Sequence, residues 1–588
     1  MSRKSRQSTL YRTLVLALFA AVLYILFVHP SQQSSTERQE QSEKLLASYY
    51  DLLANVEKAV PGGSAFARRK QQETAQKFLD RTNAASHHVK SNDVRGKEQL
   101  SGERSATTKI RSGDFVAFRE ALDQVLHISQ NSHQNAELLE PFQAKSEAKI
   151  REIGLRSRAF SERFHALEAM HLVHPDEGDD ILLRSDLVAM MYAARHAEEA
   201  SQELAEKIRT VEAMGHLVRD LTGLLFPYIR QDLMALHTGF RGRGIVMTVG
   251  NRDAHFLMTT IPALRKLGCE LPIEVMYLGD EDLSIENQQR LESLTGVVTR
   301  NLHPLIHNDG WTPAGWAVKA FAILLCSFRE AILIDADSFF FVPPETLFAN
   351  PGYTSTGALF FRDRRIFPDE ERRPFLESLL PEPLSTNAEK SPYWTGESGH
   401  VQESGVVVLD KWRHFVALLV TTRMNGPDRE GDEQTGDRGV DDMVFGDKET
   451  FWLGFELAGD VDYAFHTGHV GIIGSTPDAK QDVAKARDAV SRRHTICSTQ
   501  LLHADERGRP IWFNGWIAEN VFEGAHKLAT LEAYMIEPEV ATEPEPWEMQ
   551  DDNVVCMQAE RVLQFTEEER GVVEMIVETA RANNEING

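Results

Sequence analysis

From Arg243 onward, short apolar runs alternate with helix-length amphipathic stretches, and that alternation limits the fold more than any other feature of the chain. Gly244–Gly250 (GIVMTVG) reads as a strand ending in glycine, and residues 254–267 as a helix. A second strand over 273–278, a helix over 285–294 and a third strand over 296–300 follow. A helix over 317–328 then leads to a fourth strand, AILI, at 331–334. Strands separated by helical crossovers run parallel, with both sheet faces covered. The expected class is therefore α/β, a mainly parallel sheet flanked by helices. Ligands of such sheets bind beyond the carboxyl ends of the strands, so the residues that follow each strand matter most.

The N-terminus sets an expected topology. Fifteen apolar residues, LVLALFAAVLYILFV, end at Val28 and follow Arg3, Lys4, Arg6 and Arg12, and no acid occurs before Glu37. A spanning helix needs about 20 apolar residues, with a lower limit near 17, so with Leu10 and Tyr11 this run is at the short end. No A-x-A cleavage site follows it, which favours a retained signal-anchor over a cleaved signal. Basic residues ahead of the run keep that end cytoplasmic. The expected order is a cytoplasmic tail (1–12), a transmembrane signal-anchor (13–28), a flexible polar luminal stem (29–112), a helical stem or cap region (113–238), a catalytic domain (239–535) and an acidic C-terminal extension (536–588). The helical region reads first as a stalk or coiled-coil spacer, a surface for homo- or hetero-oligomers. Lys and Arg total 63 against 88 Asp and Glu, a formal net charge of −25. That balance excludes a bulk nucleic-acid binder, which needs basic patches. Four cysteines rule out a disulfide scaffold and allow three full pairings. Cys326 reads as buried and free.

The fourth strand runs into AILIDADSFFF. Asp335 and Asp337 stand two apart, on one face if the strand continues. Two ionised carboxylates at one spot repel each other unless a cation lies between them. Mn²⁺ or Mg²⁺, hard and oxygen-preferring, fits that demand and would clamp the phosphates of a nucleotide substrate. Thr248, Gly250 and Asn251, after the first strand, are candidates to face a nucleotide. Trp311 and Trp316 read as core or donor-loop packing, and residues 425–442, rich in Gly and Asp, as an exposed, mobile lid.

WAVKAFAILLCSFREAILIDADSFFF, LPIEVMYLGDEDLS, GHVQESGVVVLDK, GDKETFWLGFE and YAFHTGHVGIIG resemble segments of the fungal α-mannosyltransferases of the Mnn1/Mnn2 type (glycosyltransferase family 71), over about residues 240–525. The resemblance implies a GT-A nucleotide-sugar-binding fold and single-pass type II topology in the Golgi membrane with the catalytic domain luminal. It implies GDP-mannose as donor, a mannosylated glycan acceptor and retention of the α configuration. An α-1,3 linkage is favoured; an α-1,2-mannosyltransferase and a non-catalytic subunit of a mannan-synthesising complex are the alternatives. A weaker resemblance to retaining enzymes of the glycogenin type implies roles. Lys319, sixteen residues before Asp335, would offset charge on the departing diphosphate. Ser404 and Gly405, in ESGV, would line the donor sugar. Asp447, Glu403 and Glu449 are the carboxylates to test for catalysis, in that order. His503, in LLHADERGRPIWFNG, would be a third metal ligand beside Asp335 and Asp337, with His466 and His469 as rivals.

Overall fold

The computed structural model describes residues 118–173, 182–183, 202–308, 311–475, 494–519, 527–538, 546–550 and 554–583. The expected tail, anchor and stem lie outside these residues, and no helix among the described residues is long and apolar enough to cross a membrane. The chain divides into two units. The smaller holds Met1–Asp123, Ala169–Val173 and Leu183–Ile208, of which 118–123 and 202–208 are described as helical. The larger holds Gln124–Glu168, His174–Leu182 and Arg209–Gly588, and all that follows concerns it.

Two long helices come first, α1 (Ser146–His171) and α2 (Gln202–Leu225). The alternating region then folds largely as its pattern predicts. β1 (Arg243–Thr248), β2 (Ile273–Tyr277), β3 (Val297–Asn301) and β4 (Glu330–Ile334) alternate with α3 (Ala254–Lys266), α4 (Ile285–Glu292) and α5 (Val318–Leu325). Three further strands complete a seven-stranded sheet: β5 (Ala358–Arg362), β6 (Gln402–Asp410) and β7 (Ala464–Phe465). The order is β7-β5-β6-β4-β1-β2-β3. The β4–β1, β1–β2, β2–β3 and β7–β5 pairs are parallel, while β6 is antiparallel to both β4 and β5. Six strands thus run one way and only β6 is reversed. Their carboxyl ends and the start of β6 share one edge, which brings Asp335, Asp363 and Glu403 to the same rim. β2 is buried along its whole length, as expected of a strand covered on both faces. The sheet core is aliphatic, with Ile245, Val275, Ile332, Val406 and Val408 at its centre.

A second, antiparallel sheet packs beyond β4. It contains β8 (His469–Gly474), β9 (Leu501–Ala504), β10 (Pro510–Asn514), β11 (Ala533–Ile536) and β12 (Leu563–Gln564), with the short strand Phe339–Phe340 at one edge. A three-stranded ribbon of His494–Ser498, Val555–Ala559 and Trp547–Met549 carries the Cys497–Cys556 disulfide; Cys269 and Cys326 are buried and free.

Two expected boundaries do not hold. The first is the stalk. α1 and the segment after α2 are a layer of the larger unit, because their aromatic residues face inward. The Phe164 ring lies 5.6 Å from Phe415 of α6 (Phe415–Met424), and Tyr228 lies 5.5 Å from Phe321. Arg158 donates to the Glu456 carbonyl at 2.8 Å, and Lys149 pairs with Asp428 at 2.8 Å. Gly154 permits the close approach: a Cβ there would stand 2.9 Å from the Leu457 side chain of α7 (Lys448–Ala458). The aromatic face of this segment is therefore covered by its own chain. The second boundary is residue 535. α8 (Glu567–Ala582), started by a Thr566/Glu569 capping box, places Val573, Ile576 and Ala580 in one core with Phe339, Phe513 and Trp516. Lys266 of α3 donates to the Thr579 hydroxyl at 2.7 Å. An acidic composition hid an amphipathic helix.

The helical layer predicts a stability effect far from the rim. Phe164→Ala removes a fully buried ring and should cost about 3–5 kcal/mol, read as a lowered denaturation midpoint. A midpoint within error of the parent protein would show that this layer is detachable.

Candidate active site

The site grows from the end of β4. Residues 331–334 are fully buried, and the chain leaves the sheet at Asp335, whose N–H donates to the Gly405 carbonyl at 2.9 Å. That bond continues the Ile334–Val406 register and sets Asp335 beside Glu403, Ser404 and Gly405. Gly405 is needed for this approach: a Cβ would come within 2.9 Å of Glu403 Oε1, 3.0 Å of Asn514 Nδ2 and 3.1 Å of the Trp512 ring. The backbone of 335–338 is fixed by further bonds. Thr260 Oγ1 donates to the Ala336 carbonyl at 2.7 Å, and the Trp516 N–H to the Asp337 carbonyl at 2.9 Å. Trp516 holds a positive φ of 52°, a conformation that a bulky residue keeps only where its surroundings impose it.

Lys319 returns to the same edge from the start of α5. Its Nζ donates to Asp335 Oδ2 at 2.8 Å and Ser404 Oγ at 3.3 Å, and lies 3.6 Å from Asp447 Oδ2. Ser404 Oγ donates to that same Asp447 oxygen at 3.0 Å. Burial works against the Lys319 charge, but Asp335 and Asp447 outweigh it and raise its pKa. The Asp335 carboxyl is pushed up to about 7 by burial, with Lys319 opposing and Asp337 adding to the rise. Burial raises Asp337 as well. Glu403 Oε1 accepts from the Gly405 N–H at 2.8 Å and from Asn514 Nδ2 at 3.0 Å, and burial, followed by the nearby Asp363 charge, raises its pKa.

The sequence-predicted residues thus separate into three groups. Lys319, Asp335, Ser404, Gly405 and Asp447 meet, with Glu403 joined to them through Gly405. Thr248, Gly250 and Asn251 lie after β1, on the same edge. The Asn251 side chain is engaged with its own loops: its amide donates to the Glu281 carbonyl at 3.1 Å and its oxygen accepts from the Ser284 N–H at 2.8 Å. That role is positioning. Glu449 and His503 do not join the site. Glu449 is fully buried; Val401 N–H and Trp452 Nε1 donate to its two oxygens at 2.9 and 2.6 Å, and burial pushes its pKa up to about 7. Residues two apart at a helix start face different sides, so Asp447 looks onto the site while Glu449 looks into the core.

His503 sits on β9, cross-strand from Trp512, and its ring stacks on that indole at 4.1 Å between centroids. It is edge-on to Phe361 at 5.2 Å, its Nε2 has no hydrogen-bond partner, and burial lowers its pKa to about 3. His466 stacks on the other side of this aromatic group, 5.0 Å from Phe361. No three His, Cys, Asp or Glu side chains among the described residues gather as a metal cluster. The expectation of a His503 ligand is therefore replaced by an aromatic packing role. Asp335 and Asp337 fit a divalent ion as a carboxylate pair, an arrangement common for Mg²⁺ with substrate phosphates and water supplying the remaining positions.

The sequence reading missed Asp363, which follows β5 as Asp335 follows β4. It is 4% exposed and bonded to Lys448 Nζ at 2.6 Å. Burial alone would raise its pKa, but Lys448 and Arg364 overcome that and hold it below the usual carboxylate range. ALFFRD, an apolar run followed by Asp, carried the signal. The lid reading also changes: Asp428 bonds Arg423 and Lys149, and Arg429 donates to the carbonyls of Thr312 and Ala314, each at 3.2 Å. Residues 430–436, 438, 441 and 442 stay exposed, and Asp437 is half-buried. Trp311 is half-buried and stacks on Phe321 at 5.5 Å, whereas Trp316 is 61% exposed.

These placements have separable consequences. Lys319→Met leaves Asp335 and Asp447 buried without a counter-charge and should cost about 3–5 kcal/mol of stability. Glu449→Ala orphans two buried donors at about 1–3 kcal/mol each, so it too should lower the unfolding midpoint. A Glu449→Ala protein with an unchanged midpoint but no activity would return Glu449 to the site.

Comparison with known proteins follows this geometry. Residues 242–505 match the family model described as "Mannosyltransferase putative". The "Putative alpha-1,3-mannosyltransferase MNN14" of Candida albicans is 29% identical over 311 residues, 48% of this chain and 44% of that protein. "Alpha-1,3-mannosyltransferase MNT3" of Saccharomyces cerevisiae is 28% identical over 308 residues, 47% of this chain and 46% of that protein. The chain spans less than half the length of these relatives. A solved structure of the galactosyltransferase LgtC with donor and acceptor sugar analogues has a TM-score of 0.26 at 12% identity, covering 38% of this chain and 73% of that one, a likeness too slight to carry weight. The matched segment, similar to these mannosyltransferases, contains Lys319, Asp335, Asp337, Ser404 and Asp447.

Proposed function

We propose that the protein is a retaining α-1,3-mannosyltransferase with a GT-A fold that transfers mannose from GDP-mannose to a mannoside hydroxyl. One observation carries this reading: within the matched segment, a buried lysine and an aspartate pair converge at the carboxyl edge of a mainly parallel sheet, where such sheets bind nucleotides. Asp335 and Asp337 would hold Mn²⁺ or Mg²⁺, which when bound supplies charge to the diphosphate oxygens.

The remaining roles belong to the chain's own side chains. Lys319 keeps its ammonium protonated between Asp335 and Asp447 and presents it where negative charge develops as the diphosphate departs. Preorganised charge of this kind stabilises the transition state without reorganisation. Loss of the leaving group gives the anomeric carbon oxocarbenium character. Asp447, oriented by Ser404 and Lys319, is the carboxylate best placed to answer that positive charge. Glu403 is fixed by Gly405 and Asn514 and shapes the wall beside it. Retention then requires attack on the face the diphosphate leaves, or a transient glycosyl–Asp447.

The setting is proposed to be the lumen of the Golgi, with a single-pass type II anchor. The basic-then-apolar N-terminus supports that reading, and so does the Cys497–Cys556 disulfide, since such bonds persist in oxidising compartments. No nucleic-acid partner is expected from a net charge of −25.

Incubating the purified protein with GDP-mannose, α-mannobiose and Mn²⁺ should yield a trisaccharide whose new bond is α-1,3 by linkage analysis. EDTA should abolish the product and Mn²⁺ restore it. Asp337→Asn should lower kcat by on the order of 10²-fold or more with a near-parental thermal melt. Full activity in chelator would overturn the metal assignment, and an α-1,2 bond the linkage.

A further inference from the structure

Large apolar side chains on a surface usually mark a binding site when they gather beside polar groups. Trp316, Phe367 and Phe445 are 61%, 49% and 63% exposed, among the most exposed large apolar residues described. They come from three separate segments yet stand in one arc beside the candidate active site. Phe445 lies two residues before Asp447. Trp316 lies three residues before Lys319, in the 3-10 turn Gly315–Ala317, with its ring against the Gly446 backbone, where a Cβ would touch it at 3.5 Å. The His400 imidazole joins the other two rings, 5.5 Å from Phe445 and 5.8 Å from Phe367.

The arc is built rather than incidental. Phe367 has a positive φ of 58°, which a phenylalanine holds only under constraint. The constraint is visible: the Gly399 N–H donates to the Ile366 carbonyl at 2.9 Å, and a Cβ on Gly399 would stand 2.9 Å from the Phe367 carbonyl. His400 within the arc is 9% exposed, and its Nδ1 has no hydrogen-bond partner. An unmatched polar group of this kind is costly, and here it stands between two exposed aromatic rings. Nearby, Lys448 and Arg364 pair with Asp363, and Arg372 with Asp369. Apolar faces around an unmatched hydrogen-bonding group suit a saccharide: a pyranose offers one C–H face to an aromatic ring and hydroxyls at its edge.

We propose that Trp316, Phe445, His400 and Phe367 form an acceptor subsite for the sugar units behind the one that receives the mannose, so that the enzyme selects oligosaccharides over simple mannosides. This rests on the reading of the site as a glycosyltransferase centre. The 5.5 Å and 5.8 Å ring spacings on either side of His400 are comparable to one pyranose, so the arc accommodates more than one unit.

The test uses methyl α-mannoside and α-mannotriose as acceptors with the whole protein. The ratio of kcat/KM for mannotriose to that for methyl mannoside should fall about tenfold in Phe445→Ala and in Phe367→Ala, the order of one lost stacking contact. Phe445→Tyr should retain it. An unchanged ratio, or a rise confined to the KM for GDP-mannose, overturns the subsite. Saturation-transfer NMR of mannotriose without any donor separates the two readings. Binding that the parent shows and Phe445→Ala loses supports the subsite even where no mannose is transferred, in which case the proposed reaction fails alone. Binding that survives in Phe445→Ala and Phe367→Ala overturns the subsite whatever the enzyme transfers.

Discussion

The Lys319 ammonium is the constraint around which this site is arranged. A buried charge is tolerated only when paired and hydrogen-bonded, and Lys319 answers to three segments at once: Asp335 after β4, Ser404 at the start of β6 and Asp447 ahead of α7. Each of those segments is delivered by the sheet topology. Because β6 alone is reversed, its first residues reach the rim where the parallel strands end. Because α5 crosses back along the sheet, its first turn lies at that same rim. The lysine therefore ties chain direction to chemistry, and its two carboxylate partners keep it charged in a place where burial alone would not.

The central alternation was legible because it depends on local periodicity: AILI followed by two aspartates gives a strand and its end, and four strands with three helices allow few topologies. The antiparallel β6 was not legible, since ESGVVVLD reads the same in either direction. His503 shows where motif spacing fails. Its distance from Trp512 matched a metal-binding pattern, but in the structure the two are cross-strand partners that stack on each other, and no local signal reveals a hairpin partner. Asp363 and Lys448 are 85 residues apart and meet only through the fold. Exposure was equally hidden: Trp311 and Trp316 look alike in sequence, yet one stacks on Phe321 and the other faces solvent.

Composition misled at both ends of the larger unit. Few strand signals before residue 239 suggested a spacer, but Phe160, Phe164, Phe226 and Tyr228 are fully buried and make the helices a layer of the core. The acid-rich C-terminus suggested an exposed tail, yet α8 leaves Glu567, Glu568, Glu574 and Glu578 exposed and buries Val573, Ile576 and Ala580. In each case the spacing of the apolar minority decided the outcome, and the polar majority only coated it.

The central claim is that the Asp335, Asp337 and Lys319 group binds a nucleoside diphosphate through a divalent cation. Calorimetric titration of GDP into the protein tests it without any acceptor. The account predicts binding in Mn²⁺ that is lost in EDTA and lost in Asp335→Asn and Asp337→Asn. Equal GDP affinity in chelator, or in both aspartate variants, would contradict it.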